Sequence, residues 1–150
     1  MQAAATMPTL DDARAFFARA PFMVDLGVTP TAVEAGRIDT ELMLAPRHHQ
    51  HTGQVHAGVM TSLADHSMGA AAQTLAPAGF VVITAELSIR LLRAARGERL
   101  VCTAHVLKPG RLLSFTEADV YALRGTERVH VLRAAATMAL VATERLPGSA

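Results

Sequence analysis

The sequence predicts an α+β domain in which one long curved antiparallel sheet wraps around a single central helix. Three observations predict this class: a proline-free segment near residues 57–75 is rich in small residues, two β segments precede it, and four follow it. A chain of 150 residues, 51% of them hydrophobic, is long enough to bury a substantial core. We therefore expect residues 1–150 to form a single domain.

The residues before the central helix predict one short helix and two strands. Residues 9–20 carry an apolar stripe at helical spacing, Thr9 is a suitable N-cap, and Pro21 cannot continue the helix. Strands are expected at 28–34 and 37–45, because the Ala-Gly pair between them favours a turn. A polar loop then leads to the central helix.

The segment at about 57–75 predicts a long helix that is buried on most sides. It lacks proline, and Pro77 and Gly79 mark its end. Alanine, glycine and serine occur on every side of it, which lets other backbone elements approach closely. Such a helix is expected at the centre of the fold rather than on its surface.

After the central helix the apolar residues recur at every second position, which is typical of strands. The clearest run is 81–91, and further strands are expected at 100–107, 112–122 and 129–143. Because short turns separate these segments, we expect them to form an antiparallel meander. In the first of them strict alternation places six residues on one face: Val81, Ile83, Ala85, Leu87, Ile89 and Leu91.

Composition excludes several classes of protein. A net charge of +1 and 4% aromatic residues are unlike a nucleic-acid binder, which needs basic patches or stacking rings. No apolar stretch approaches the roughly 20 residues of a membrane span. Residues 1–8 do not resemble a secretory signal. Since Cys102 is the only cysteine, no intrachain disulfide can form, and we expect a reducing, cytoplasmic location.

Four short segments resemble those of PaaI-type hotdog-fold acyl-CoA thioesterases. The segment 56–65, HAGVMTSLAD, is similar to a His-Gly-Gly signature followed by Leu-Ala-Asp, with the Asp nine residues after the His. The pattern Q-x-x-G-x-x-H at 50–56 resembles the family's Asn-x-x-Gly-x-x-His. The segments 84–89, TAELSI, and 92–97, LRAARG, resemble its next strand and turn. The resemblance covers about residues 22–142.

Two departures separate this chain from the family pattern. Ala57 replaces the first glycine of His-Gly-Gly, and Gln50 replaces the usual asparagine. Ala57 keeps its backbone N–H, and Gln50 keeps an amide that reaches one methylene further. The resemblance implies a hotdog fold, hydrolysis of acyl-CoA without a cofactor, and assembly as a homodimer or a dimer of dimers, the homotetramer of many relatives.

The family assigns activation of water to the residue that matches Asp65, and the local sequence independently indicates a special role. Asp65 lies within a helix of apolar and small residues that contains no Lys or Arg to pair with it. An unpaired buried carboxylate is costly, which favours a functional reading. The alternative is a solvent-exposed stripe shared with Thr61 and His66. Whether Asp65 acts as general base or as nucleophile stays open.

The start of the central helix is the expected oxyanion site. Helix N-termini present free N–H groups, so we assign the oxyanion to the Ala57 N–H, with Gly58 beside it at the substrate. Ala57 and Asp65 are eight residues apart, about 12 Å along one helix. A reacting carbonyl cannot lie next to both, so we expect each site to combine two chains of a homodimer.

Three further polar residues match family positions. Gln50 is expected to hold the water or the thioester carbonyl, His56 to orient the loop or thioester, and Thr84 to position the carboxylate or the water. Each has a structural alternative: a solvated loop residue for Gln50, a purely structural role for His56, and an outward-facing strand residue for Thr84.

The sequence also contains a run of arginines and a group of histidines. Arg90, Arg93 and Arg96, with Arg99 beyond them, could bind the phosphates of coenzyme A, or could be solvated charges. The histidines between residues 48 and 56 lack the cysteine or carboxylate partners and the spacing of a zinc site. We therefore expect no metal.

Two functional classes remain. The first is an acyl-CoA thioesterase with Asp65 and the Ala57 N–H as its catalytic groups. The second is a non-catalytic protein that binds acyl-CoA or a small ligand, as the substitutions at positions 50 and 57 suggest. A dehydratase fits less well, because His56 and Asp65 are poorly spaced on one chain.

Overall fold

The computed structural model describes residues 7–148 and shows two short helices, one long helix and six strands in that part of the chain. Two short 3₁₀ turns, Pro46–His48 and Thr143–Arg145, complete the regular structure. The bounds are α1 Leu10–Ala18, α2 Pro21–Leu26, β1 Val28–Glu34, β2 Arg37–Met43, α3 Ala57–Gln73, β3 Phe80–Leu91, β4 Arg99–Lys108, β5 Leu113–Arg124 and β6 Glu127–Ala142. Residues 1–6 and 149–150, which include most of the segment examined for a signal, lie outside the described residues.

The N-terminal helix starts where its sequence predicts. Thr9 is the N-cap, and its side chain and that of Asp12 each accept a hydrogen bond from the other residue's backbone N–H. The helix ends at Ala18, slightly earlier than expected. Pro21 then occupies the first turn of α2, a position where its missing N–H costs nothing.

The sheet is antiparallel throughout, but the predicted meander is wrong for its first strand. The strand order is β1-β2-β4-β5-β6-β3, so β3 pairs with β6 and not with β4. Among the four strands after α3, only β4, β5 and β6 follow one another as hairpins. The chain therefore leaves one edge of the six-stranded sheet and returns near its middle.

The connection between β3 and β4, residues 92–98, explains that crossing. It is too long for a tight hairpin turn, and it passes the ends of the two intervening strands. Leu92 N–H donates to Val131 O of β6 at 2.9 Å, and Glu98 N–H donates to Leu123 O of β5 at 2.8 Å. Gly97 is required here, because a Cβ on it would lie 2.3 Å from the Leu123 carbonyl oxygen.

A β-bulge interrupts β3 and makes the predicted strict alternation wrong. Thr84 pairs with Met138, and Glu86 pairs with the adjacent Thr137, so Ala85 is an extra residue in the ladder. The alternation changes phase at this point. Thr84 consequently shares the inner face of the sheet with Leu87 and Ile89.

The long helix α3 lies across the inner face of the sheet, as predicted. It contacts β2 through β6, and Ala64, Ser67 and Ala70 on it are completely buried. Its small side chains let the strands approach closely, and larger side chains from both layers fill the remaining space. The largest of these are Ile38, Leu42, Leu63, Met68, Leu100, Leu132 and Met138.

The core also contains a small polar cluster between α3 and the sheet. Thr40 and Ser67 are joined by a 2.7 Å hydrogen bond between their hydroxyls, and Cys102 lies beside both. Burial raises the pKa of the Cys102 thiol to about 12, so the thiol stays protonated and inert. Between residues 7 and 148, no helix is both long and apolar enough to cross a membrane.

Candidate functional site

The first turn of α3 leaves one backbone N–H free. Gly58 N–H donates to His56 Nδ1 at 2.8 Å, and Val59 and Met60 donate to the His56 carbonyl oxygen at 3.0 and 3.4 Å. The Ala57 N–H has no acceptor among residues 7–148. No described residue other than glycine has a positive φ, so the alanine at this position fits the helix without strain.

A cavity of about 370 Å³ lies at this end of α3. Its walls come from the polar loop before the helix, from the first turn of α3, and from the segment after β3. Val55 N–H joins two of these walls by donating to Ala95 O at 3.1 Å. The lining residues are Gln50, Gln54, Val55, Ala57, Met60, Leu91, Leu92, Arg93, Ala94 and Ala95.

Gln50 reaches this cavity, as the motif at 50–56 predicts. Its backbone N–H donates to Gln54 O at 2.8 Å, and its side-chain Nε2 donates to Thr52 Oγ1 at 2.9 Å. These two bonds hold the loop and the carboxamide. One N–H and the Oε1 of the carboxamide stay available to a molecule in the cavity.

Asp65 lies further along α3, outside the first turn, and Thr84 of β3 contacts it there. Thr84 Oγ1 donates to Asp65 Oδ1 at 2.8 Å and also lies 3.5 Å from Met138 Sδ. Asp65 is half-buried, and neither residue lines the cavity at Ala57. The structure thus brings Asp65 and Thr84 together, and separately brings Gln50 and Ala57 together. Within one chain the two pairs stay about two helical turns apart.

His56 and Gly58 form the cap of α3. The imidazole of His56 accepts the Gly58 N–H, and a Cβ on Gly58 would lie 2.9 Å from His56 Nδ1. A side chain at position 58 would therefore require the imidazole to shift. The Gly58 amide is engaged, which leaves the Ala57 amide as the available donor at the helix start.

The three arginines named from the sequence lie in three different depressions. Arg93 lines the cavity at Ala57, and its Nη1 donates to His130 O at 3.2 Å. Arg90 lies directly opposite Arg133 across the β3–β6 ladder, on the outer face of the sheet. Arg96 lines a depression beside β5 and β6. Arg99 instead forms an ion pair with Glu41 at 3.2 Å.

Two histidines before α3 form hydrogen bonds with backbone groups. His48 is buried, accepts the Ala45 N–H at Nδ1 (2.9 Å) and donates from Nε2 to Leu26 O (2.8 Å). His49 Nδ1 donates to Ala45 O at 3.0 Å. In the described part of the chain no group of three or more His, Cys, Asp or Glu side chains could hold a metal ion.

His66, the neighbour of Asp65, is enclosed by aromatic rings. Its ring stacks on Phe16 with centroids 5.7 Å apart and meets Phe17 edge-on at 4.6 Å. His66 Nε2 is buried without a hydrogen-bond partner. Burial lowers the pKa of His66, and the charge of Asp65 partly opposes that shift.

Sequence reasoning missed the apolar part of the cavity. Met60, Leu91 and Leu92 line it, and Gln54 adds a second carboxamide. The helical spacing between Ala57 and Met60 could have indicated one of these neighbours, because residues three apart share a helix face. The others depend on the crossing segment, which no local pattern reveals.

The site thus consists of a free amide at the start of α3, a cavity beside it, and a carboxylate about two helical turns further along the same helix. The model of the Thioesterase superfamily matches residues 52–129, just over half of the chain. The chain belongs to the thioesterase superfamily.

Within this superfamily the chain is similar to solved and to curated proteins. A thioesterase family protein from Silicibacter pomeroyi is 32% identical, with a TM-score of 0.84 over 87% of this chain and 96% of that one. The human protein acyl-coenzyme A thioesterase 13 is 29% identical over 94 residues, 62% of this chain. That match spans 66% of the human protein, slightly less than two thirds of its length.

A more distant solved structure adds information on the fold. A Bacillus halodurans protein solved with CoA is 22% identical, with a TM-score of 0.65 over 69% of this chain and 66% of that one. With the other matches it confirms the hotdog fold, in which the antiparallel sheet packs around the long helix.

Proposed function

We propose that this protein hydrolyses an acyl-CoA thioester to the free acid and CoA. The observation that carries the proposal is the unpaired N–H of Ala57, a residue that lines the cavity together with Gln50. An amide at a helix start stabilises the negative charge that develops on the carbonyl oxygen in the transition state. The names of the thioesterase relatives and the CoA-bound neighbour support the substrate class.

In this mechanism Asp65 accepts a proton from water as the water attacks the thioester carbonyl. A C–O bond forms, the oxyanion rests on the Ala57 N–H, and the C–S bond then breaks. CoA leaves as a thiolate, which takes up the proton. Thr84 fixes the carboxylate through its 2.8 Å hydrogen bond, and Gln50 holds the water or the carbonyl. Direct attack by Asp65 is the covalent variant of the same reaction.

The site requires two chains in this proposal, because Asp65 lies about 12 Å from Ala57 along one helix. The free edge of β3 supports this arrangement. β3 has twelve residues and ends the sheet, whereas the other edge strand, β1, carries Pro30 and a bulge that hinder pairing. Antiparallel pairing of two β3 edges about a twofold axis would form a homodimer with two composite sites. A dimer of dimers, the expected homotetramer, would keep the same sites.

Arg93 is the first candidate for contact with the CoA phosphates, because it lies at the cavity rim. Arg90 and Arg96 lie in neighbouring depressions and would contact only the more distant parts of the nucleotide. The proposal keeps the expected cytoplasmic location, which the single buried cysteine supports.

Release of CoA thiol from a panel of fatty and aryl acyl-CoAs tests this function. Wild type should release thiol well above background, and Asp65→Asn should lower kcat by about a hundredfold or more, as loss of a general base does. Asp39→Asn, at a carboxylate on β2 outside the site, is the matched control and should keep wild-type rates. Wild-type rates in Asp65→Asn would contradict the role of Asp65.

The alternative is a protein that binds acyl-CoA without hydrolysing it. The alanine at position 57 and the glutamine at position 50 favour it, since both depart from the family pattern. Calorimetry beside the thiol assay separates the two. Tight binding of a CoA ester with no turnover would favour the binding protein, and turnover that depends on Asp65 would exclude it.

A further inference from the structure

The cavity at Ala57 has a polar, exposed rim and an apolar, buried floor. Leu91 at the rim is 54% exposed, and Gln50 and Arg93 join it there. Met60 is only 4% exposed, and Val55 is equally buried. An extended ligand would therefore place charged or polar groups at the rim and an apolar group against Met60.

Met60 lies next to the proposed oxyanion donor on the same face of α3. It is three residues beyond Ala57, about 4.5 Å along the axis. The next residue on that face, Ala64, is fully buried and does not line the cavity. Met60 is thus the last residue on this face of α3 that lines the cavity, and a shorter side chain at position 60 would lengthen the cavity toward Ala64.

We propose that Met60 sets the length of the acyl chain that this site accepts, and that the chain is a straight aliphatic one. This inference rests on the proposed thioesterase function. With the thioester carbonyl on the Ala57 N–H, the acyl chain runs along α3 and its end meets the methionine thioether. The cavity walls contributed by residues 7–148 contain aliphatic side chains and no aromatic ring, which favours an alkyl group over an aryl group.

The expected effect follows from the size of the side chain. Met60→Ala removes three heavy atoms and opens room for about three more carbons of substrate, each worth about fourfold in kcat/KM when its methylene is buried. The preferred acyl length should shift upward by that amount. Met60→Val removes less of the side chain and should shift it less, in the same direction.

The experiment measures kcat/KM for saturated acyl-CoAs from butyryl to palmitoyl, and for benzoyl- and phenylacetyl-CoA, with thermal melting to confirm folding. Met68→Ala is the matched control: Met68 is another buried methionine of α3 that does not line the cavity. It should lower the melting temperature without changing the length preference.

The outcomes separate this inference from the function on which it rests. A longer optimum in both Met60 variants, with the Met68 variant unchanged, supports it. An unchanged optimum, an equal change for every acyl length, or a preference of the wild type for the aryl esters overturns the Met60 assignment and leaves the thioesterase function intact. Absence of thiol release from every ester by wild type would overturn the function itself.

Discussion

The hydroxyl of Thr84 donates a 2.8 Å hydrogen bond to the carboxylate of Asp65, and a bulge at Ala85 makes this contact possible. Without the extra residue, the side chain of Thr84 would lie on the outer face of the sheet, with those of Glu86 and Ser88. The bulge instead turns it toward α3. A local irregularity of the strand thus positions the one carboxylate of the central helix.

Thr84→Ala should lower the rate of thioester hydrolysis without unfolding the protein. Hydrogen bonds to charged groups contribute about 1.5–3 kcal/mol, so we expect kcat to fall by about ten- to a hundredfold. Thr84 is exposed in the single chain, and its loss leaves the core intact. Steady-state kinetics with one acyl-CoA measures the change.

Thr84→Ser is the control for this prediction. Serine keeps the hydroxyl and should retain most of the activity, whereas Thr84→Val keeps the shape and should behave like the alanine variant. Equal rates in the serine and valine variants would show that the hydroxyl does not position Asp65.

His56 is expected to act through the helix start rather than on the substrate. His56→Ala removes the acceptor of the Gly58 N–H and should destabilise the protein by about 1 kcal/mol. His56→Asn supplies a good N-cap and should restore most of that stability. Chemical denaturation measures both changes.

The kinetics of the same two variants distinguish the roles of His56. If it only caps α3, His56→Asn should keep kcat near that of wild type. A folded and stable asparagine variant with strongly reduced kcat would instead place the imidazole at the reacting group.

Local patterns predicted the elements of this fold well, because each depends on nearby residues. The N-cap at Thr9, the buried helix 57–73 and the strand segments follow from capping, small-residue content and period-two alternation. The pairing of β3 with β6 could not be predicted in this way. It depends on contacts between segments distant in sequence, and local periodicity carries no information about which strand becomes the neighbour.

At the candidate site, too, some features follow from local sequence and others depend on contacts between distant segments. The motif around Asp65 and Ala57 predicts both as catalytic groups, and their spacing on one helix predicts a site shared by two chains; both stay predictions. The family resemblance named Thr84 as a residue that could position the carboxylate, and the structure joins it to Asp65. Strict alternation alone would have placed Thr84 on the outer face, because it does not reveal the bulge.

Arg90, Arg93 and Arg96 lie in three separate depressions. Arg90 is on β3, where side chains alternate between the two faces of the sheet, and the other two lie on the segment after it, which does not continue this alternation.

His66 should make the protein less stable in mild acid. Burial between Phe16 and Phe17 lowers the pKa of His66 below its ordinary value of 6.5, so the unfolded chain binds a proton that the folded protein resists. The free energy of unfolding should fall as pH decreases through 6.5 toward the lowered pKa, and this contribution is fully present above 6.5. Thermal melting across that range measures it.

His66→Leu replaces the ring by an apolar side chain of similar volume and should flatten this part of the pH profile. Because His66 Nε2 has no partner, the substitution breaks no hydrogen bond of that atom. His51→Gln, at an exposed loop histidine, is the control and should leave the profile unchanged. Identical profiles for wild type and the leucine variant would contradict the assignment.

Ala57→Pro tests the oxyanion donor, because proline has no backbone N–H. Proline is favoured at the first position of a helix, and His56 before it already has the extended conformation that proline requires, with φ −62° and ψ 136°. The fold should therefore persist while the N–H is lost. We expect kcat to fall by about a hundred- to a thousandfold, as for other oxyanion donors. Ala57→Gly, which keeps the N–H, should retain activity.

Mixing two inactive variants then tests whether each site combines two chains. In a heterodimer of Asp65→Asn and Ala57→Pro, one composite site carries both lesions and the other carries neither, because the two groups come from opposite subunits. Random reassociation after co-unfolding should restore about a quarter of wild-type activity, since half of the dimers are mixed and each has one intact site. If Asp65 and Ala57 acted within the same chain, every site would carry one lesion. The mixture would then stay as inactive as its parents, and the two-chain mechanism would be excluded.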